Sequence, residues 1–139
     1  MSEPVEITGA DIIGALLRED PAVTATVAID RIKGGRLPDD VQLPALLVRT
    51  ISSVERQSLR RDDLVRTTDR VSVTVRAASY DDQINVIGAV RRCCADRTGD
   101  FAGGLRVAIL TAGTGPDLAG PADAYEQAQD FRVSFDKAG

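Results

Sequence analysis

Histidine and tryptophan are missing from this chain, and only two of its 139 residues are cysteine. Without an imidazole, histidine triads and histidine general bases are excluded. The two thiols, Cys93 and Cys94, are adjacent. Neighbouring helical side chains diverge, so no ordinary disulfide is expected between them. Two cysteines with no histidine make a poor zinc ligand set. They read as small core-facing thiols in a reducing cytosol. Aromatics are only 4% of the chain, so valine, leucine and isoleucine must supply the core. The net charge of −4 gives no global attraction to nucleic acid, and any such affinity needs a local basic patch. No apolar run approaches the roughly 20 residues that span a bilayer, so no membrane partner is expected. No signal peptide opens the chain, which is expected to be made and to fold in cytosol.

What is present is organised around residues 70–99. Val71, Val73, Val75 and Ala77 alternate with Ser72, Thr74 and Arg76, the period-two pattern of a half-buried strand. Ser79 and Asp82 then form a capping pattern. Ile84, Ile87, Val90 and Cys94 follow as the stripe of an amphipathic helix. Asp81 and Asp82 in its first turn, and Arg91 and Arg92 in its last, complement the helix dipole. Gly99 is expected to end it.

The rest of the chain supplies partners for this unit. Residues 1–7 read as a short acidic arm or edge segment. Thr8 and Asp11 cap a first helix whose apolar side is Ile12, Ile13, Leu16 and Leu17, and Pro21 ends it. Residues 26–32 alternate Val27 and Ile29 with Ala28 and Asp30, predicting a short strand broken by Gly34-Gly35. A turn-rich loop with Pro38, Asp39 and Asp40 leads to Pro44 and an apolar strand over 45–51. Further strands are expected over 105–109 and 128–135, separated by a Gly- and Pro-rich loop over 112–122.

Between these strands, residues 54–67 read as the projecting end of a long antiparallel hairpin. Arg56, Arg60, Arg61 and Arg66 alternate there with Glu55, Asp62 and Asp63. The segment is either a solvated loop or a partner-binding arm. A turn near Arg61 would pair Val75 with Val48 or with Leu47, and a bulge in the ribbon is compatible with the sequence. The expected fold is one α+β domain over 1–139. Its two layers are a mostly antiparallel sheet of four to five strands and two helices on one face.

Catalytic chemistry has little to stand on. Gly113-x-Gly115 follows a strand, but Pro116 comes next and no Lys-Ser/Thr pair follows, so a phosphate loop is not expected. Asp39-Asp40, Asp62-Asp63 and Asp81-Asp82 read as turn, hairpin-tip and helix-start residues rather than as metal ligands. No enzyme activity, cofactor or metal is expected.

The order of these segments resembles the tail-terminator or tail-completion family of long-tailed bacteriophages and related gene transfer agents. The resemblance rests on Ile12-Ile13-Gly14-Ala15-Leu16-Leu17, then on Gly35-Arg36-Leu37-Pro38 and Leu43-Pro44-Ala45-Leu46-Leu47-Val48. It continues through Val71 to Ala77 into the helix at Tyr80, and closes on Asp130-Phe131-Arg132-Val133-Ser134-Phe135. It implies a structural virion protein at the head-proximal end of the tail, assembled in the host cytoplasm. Members form hexameric rings that cap the tail tube, end its polymerisation and present a surface to the head-tail connector protein. In such a ring, Arg56, Arg60, Arg61, Asp62, Asp63 and Arg66 would face either the tail tube protein or a neighbouring copy, or non-specific DNA in the lumen. The interspersed signs favour the protein contact. The alternatives are a head-closure or connector protein of the neck, and a small α+β ligand-binding regulatory domain.

Overall fold

The alternation seen in residues 71–77 belongs to a longer strand. In the computed structural model, which describes residues 7–56 and 64–138, it runs over Leu64–Ala77. Among the described residues, three α-helices and seven strands are formed in the order α1 (Gly9–Glu19), α2 (Pro21–Thr24), β1 (Ile32–Gly34), β2 (Ala45–Glu55), β3 (Leu64–Ala77), α3 (Tyr80–Cys94), β4 (Arg97–Phe101), β5 (Gly104–Thr114), β6 (Leu118–Ala119) and β7 (Tyr125–Ala138). They make one sheet in the order β1-β2-β3-β7-β5-β4, with β6 paired to β7. Every pairing is antiparallel except β1 with β2. The architecture is α+β as expected, but with seven strands instead of four to five and, counting the single turn of α2 that Asp20 caps, three helices instead of two.

One apolar cluster joins α1, α3 and one face of the sheet. Ile12, Ile13, Leu17, Val71, Val73, Val75, Val90, Phe131 and Phe135 are all fully buried in it. Both caps form: Thr8 and Asp11 make a reciprocal capping box, and Ser79 accepts from the Asp82 N–H. Gly9, at the first helical position of α1, is required by close approach. A Cβ there would lie 2.8 Å from the Asp69 Cβ and 2.9 Å from Val71. The Gly9 N–H donates to the Asp69 carboxylate at 2.7 Å, so β3 itself supplies an anion to the start of α1.

Four expectations about single elements are corrected. Residues 26–32 do not form a strand. Val23 and Val27, four apart, are both buried while Ile29 is 56% exposed, and Val27 N–H donates to Val23 C=O. The helical spacing wins there, and only 32–34 is extended. The α3 stripe is rotated from the expected one: Gln83 is buried and Ile84 is 42% exposed, with Val86, Ile87, Val90 and Cys94 inward. Gly99 does not end α3, which stops at Cys94. Instead it lies in β4 at φ 136°, beside a register shift. The turn from β4 to β5 is made by Ala102 and Gly103 at positive φ, without the Asn-Gly signature that would have marked a hairpin. Within 112–122, Thr114 still belongs to β5 and Leu118–Ala119 adds β6.

The β2–β3 register also differs from both expected pairings. Val75 faces Leu46, Val48 faces Val73, and the register shifts between Thr50 and Ser52, leaving Ile51 as the extra residue. The bulge is thus present. Residues 1–6 and the expected hairpin tip at 57–63 lie outside the described residues.

Candidate assembly surface

Because side chains alternate along a strand, β3, β7 and β5 have a second face turned away from the helices. Near the β1 end this face is covered. The loop after β1 folds over it, Leu37 is buried, and the Arg76 guanidinium donates to the Pro38 carbonyl and pairs with Glu126. Toward the other end of the strands it is open. Three rows cross it there. Ser52, Arg70, Arg132 and Leu110 form one row; Val54, Thr68, Ser134 and Ala108 the next; Arg66, Asp136 and Leu105 the third.

The polar groups of these rows are tied together. Asp136 is 4% exposed and accepts from Arg106 through both Nε and Nη2, and from Arg66 Nη1 at 3.3 Å. The Arg106 guanidinium, chiefly by these hydrogen bonds, holds the Asp136 carboxyl below the usual carboxylate range. Arg66 also donates to the Arg106 carbonyl at 2.6 Å. Arg106 takes a left-handed φ of 49° at a bulge, and its N–H is held by Asp100 at 2.8 Å. Arg70 donates to Asp130 and to the Ala112 carbonyl, both at 2.9 Å. Thr68 and Ser134 hydroxyls share a bond of 3.0 Å. Arg49 and Arg132 are exposed and have no side-chain partner among the described residues.

Apolar side chains stand among these arginines. Ile51, Val54, Leu105 and Leu110 are 53%, 67%, 45% and 53% exposed. Arginine is enriched at protein interfaces, and a surface that mixes it with exposed aliphatics is not the clean basic stripe that phosphate tracking favours.

Of the residues singled out from sequence, Arg66 joins this network. Arg56 is exposed at its edge, its N–H donating to the Arg66 carbonyl at 2.8 Å. Arg60, Arg61, Asp62 and Asp63 lie outside the described residues. Sequence reasoning missed Arg70, Arg106, Asp130, Arg132 and Asp136. The signal was available in part: the alternation of residues 71–77 continues backward through Arg70, Thr68 and Arg66. Asp130, Arg132, Ser134 and Asp136 alternate in the same way against Phe131, Val133 and Phe135.

Elsewhere the chemistry is spent on structure. Cys93 and Cys94 are buried; Cys93 donates to the Leu16 carbonyl at 3.5 Å. The hydrogen bond with Cys93, together with burial, pushes the Cys94 thiol up, away from the nucleophilic thiolate. The Gly115 N–H donates to the Ala128 carbonyl, so it is committed to the sheet rather than to an anion. A shallow groove of about 440 Å³ between α3 and the β5–β7 edge is lined by Ile84, Ile87, Arg91, Thr114 and Gln127 among others, with no carboxylate or thiol. Among the described residues no three metal-ligating side chains converge.

The model of a family described as "Tail completion protein gp17" matches residues 12–136. No curated protein matches the chain. Among solved structures, a chain in the virion of a native gene transfer agent particle has a similar fold, with a TM-score of 0.66 at 11% identity. The alignment covers 93% of this chain and 95% of that one.

Proposed function

Because the chain belongs to the tail completion protein gp17 family and is a structural protein of the virion tail, we propose that it closes the head-proximal end of a finished tail tube. Copies of the chain, six in number by the family resemblance, form a ring that stops tube polymerisation and offers a joining surface to the head-tail connector protein. Assembly takes place in the host cytoplasm. The observation that carries this reading is the family match, which spans nearly the whole chain. A ring of identical domains needs heterologous, closing contacts rather than a catalytic centre.

The arm at 54–67 serves protein contact in this reading. Arg56, Arg60, Arg61 and Arg66 meet an acidic surface of a neighbouring copy or of the tail tube protein. Glu55, Asp62 and Asp63 set the register of that contact by sign. Non-specific DNA in the ring lumen is the competing partner for the same arginines. Strong loss of binding with salt, in proportion to the phosphates neutralised, would identify it.

Negative-stain images of the purified protein, alone and mixed with tail tubes, test the reading. Rings seated on tube ends are the expected result; bare tube ends at high protein concentration would overturn it. Reversing the arm with Arg60→Glu and Arg61→Glu is expected to leave the domain folded and to abolish capping. A variant that still caps tubes would remove the arm from the contact.

A further inference from the structure

The large apolar side chains that the fold leaves exposed are not scattered. Nine are exposed among the described residues, and eight of them fall into two groups of four. Ile51, Val54, Leu105 and Leu110 lie on or beside the open sheet face, among Arg49, Arg66, Arg70, Arg106 and Arg132. Tyr80, Ile84, Leu118 and Tyr125, 42% to 59% exposed, lie at the other end of the sheet. That second group is held together by structure. Ala77, two residues before the Ser79 cap of α3, faces Tyr125; Tyr125 faces Ala119; and Gln83 of α3 donates to Asp117 at 2.8 Å.

The charge around the two groups is opposite. No lysine or arginine occurs between Arg76 and Arg91, or between Arg106 and Arg132. The second group is therefore flanked by exposed Asp81, Asp82, Asp117 and Asp123, and α3 adds cations only further along, at Arg91 and Arg92, which line the groove beside Ile84. At the first group, Asp130 and Asp136 are already bound to arginines, while Arg49 and Arg132 are left over. The rows of the first group meet β7 at Arg132 and Asp136 and the second meets it at Tyr125, roughly 23–36 Å apart along an extended strand.

We infer that the open sheet face of one copy docks on the α3-start end of the next, arginine against aspartate around two apolar centres. A patch that fits a different patch on the same chain makes a heterologous contact, and repetition of that contact closes a ring or continues as a filament. Self-docking of like patches is opposed, because it would set arginine against arginine or aspartate against aspartate. The partner of this surface is a second copy of the chain. The inference rests on the ring reading above and assigns to it the two faces that meet.

The experiment is a charge swap with mixing. One variant carries Arg49→Glu and Arg132→Glu, the other Asp81→Arg and Asp82→Arg. Sedimentation at high protein concentration and low salt reads assembly, and electron microscopy reads tube-end capping. Each variant alone is expected to associate at least about tenfold more weakly than the native chain. Mixed one to one they are expected to recover assembly, since each reversed face then meets a reversed partner. Recovery on mixing also shows that both variants are folded. Variants that each assemble like the native chain, or a mixture that fails to recover, would overturn the inference while leaving the ring intact. Recovery in assemblies that stop at two subunits or leave tube ends bare would keep the pairing and remove the ring reading. A native chain that stays monomeric even with tubes would remove both.

Discussion

The two faces of β3 are made by alternate residues of one backbone, yet they serve different ends. On the helix side Val71, Val73 and Val75 are fully buried with Phe131 and Ile87. On the other side, beyond the loop that covers Arg76, Arg70 and Arg66 are tethered to Asp130 and Asp136 while Leu110 and Leu105 stand in solvent. The helix side holds the domain together by area removed from water. The open side contributes through ion pairs whose arginines remain 30–73% exposed, and such pairs stabilise a monomer weakly. Of its arginines, Arg66, Arg70 and Arg106 are already held, so they would lose less side-chain freedom in the contact proposed above.

Mutations on the two sides should separate these roles. The largest effect belongs to Phe131→Ala, which empties the centre of the core and is expected to cost about 3–5 kcal/mol in a denaturant melt. Ile87→Ala, on the helix that covers the same face, is expected to cost about 2–5 kcal/mol. Arg92→Ala, exposed on that helix, should change stability by about half a kcal/mol or less. Equal effects at 87 and 92 would mean that the helix presents another side to the sheet.

Asp136→Asn breaks the network of the open side and is expected to cost about 1 kcal/mol or less, because its arginine partners stay exposed to solvent. Because the folded-state carboxyl lies below its ordinary value of 3.8, this contribution is fully present above that value and fades as pH falls through the folded one. Native chain and variant should therefore differ by a constant amount from about pH 5 upward and converge in more acid solution. A difference that grew with acid would break the assignment. The smallest effect on folding is expected at Leu110→Ser, about half a kcal/mol or less in either direction. Its assembly should nevertheless weaken in sedimentation. A large loss of stability there would show that the open face is part of the core.

Much of this architecture is written in neighbours one to four residues apart. Thr8 with Asp11, and Ser79 with Asp82, mark helix starts because a cap is a local hydrogen bond. Val71 to Ala77 marks a strand because two faces demand a period of two. The tail-completion family was legible on the same short segments, from Ile12 to Phe135.

The local pattern was ambiguous wherever a second element decided the outcome. Ile84 and Gln83 compete for one helical position, and only docking on Gln127 and Asp117 turns Gln83 inward. The expected strand over 26–32 yielded to Val27 packing with Val23. Strand β4 has no apolar alternation of its own and exists because β5 offers it an edge.

Period two shows that a strand has two faces, but not which of them a helix will cover. That choice, and with it the surface left for a partner, belongs to tertiary structure. Arg66 reaches Asp136 across 70 positions of sequence, and Arg70 reaches Asp130 across 60. Hydrogen bonds of that span are set by strand order and register, which no run of neighbouring residues encodes.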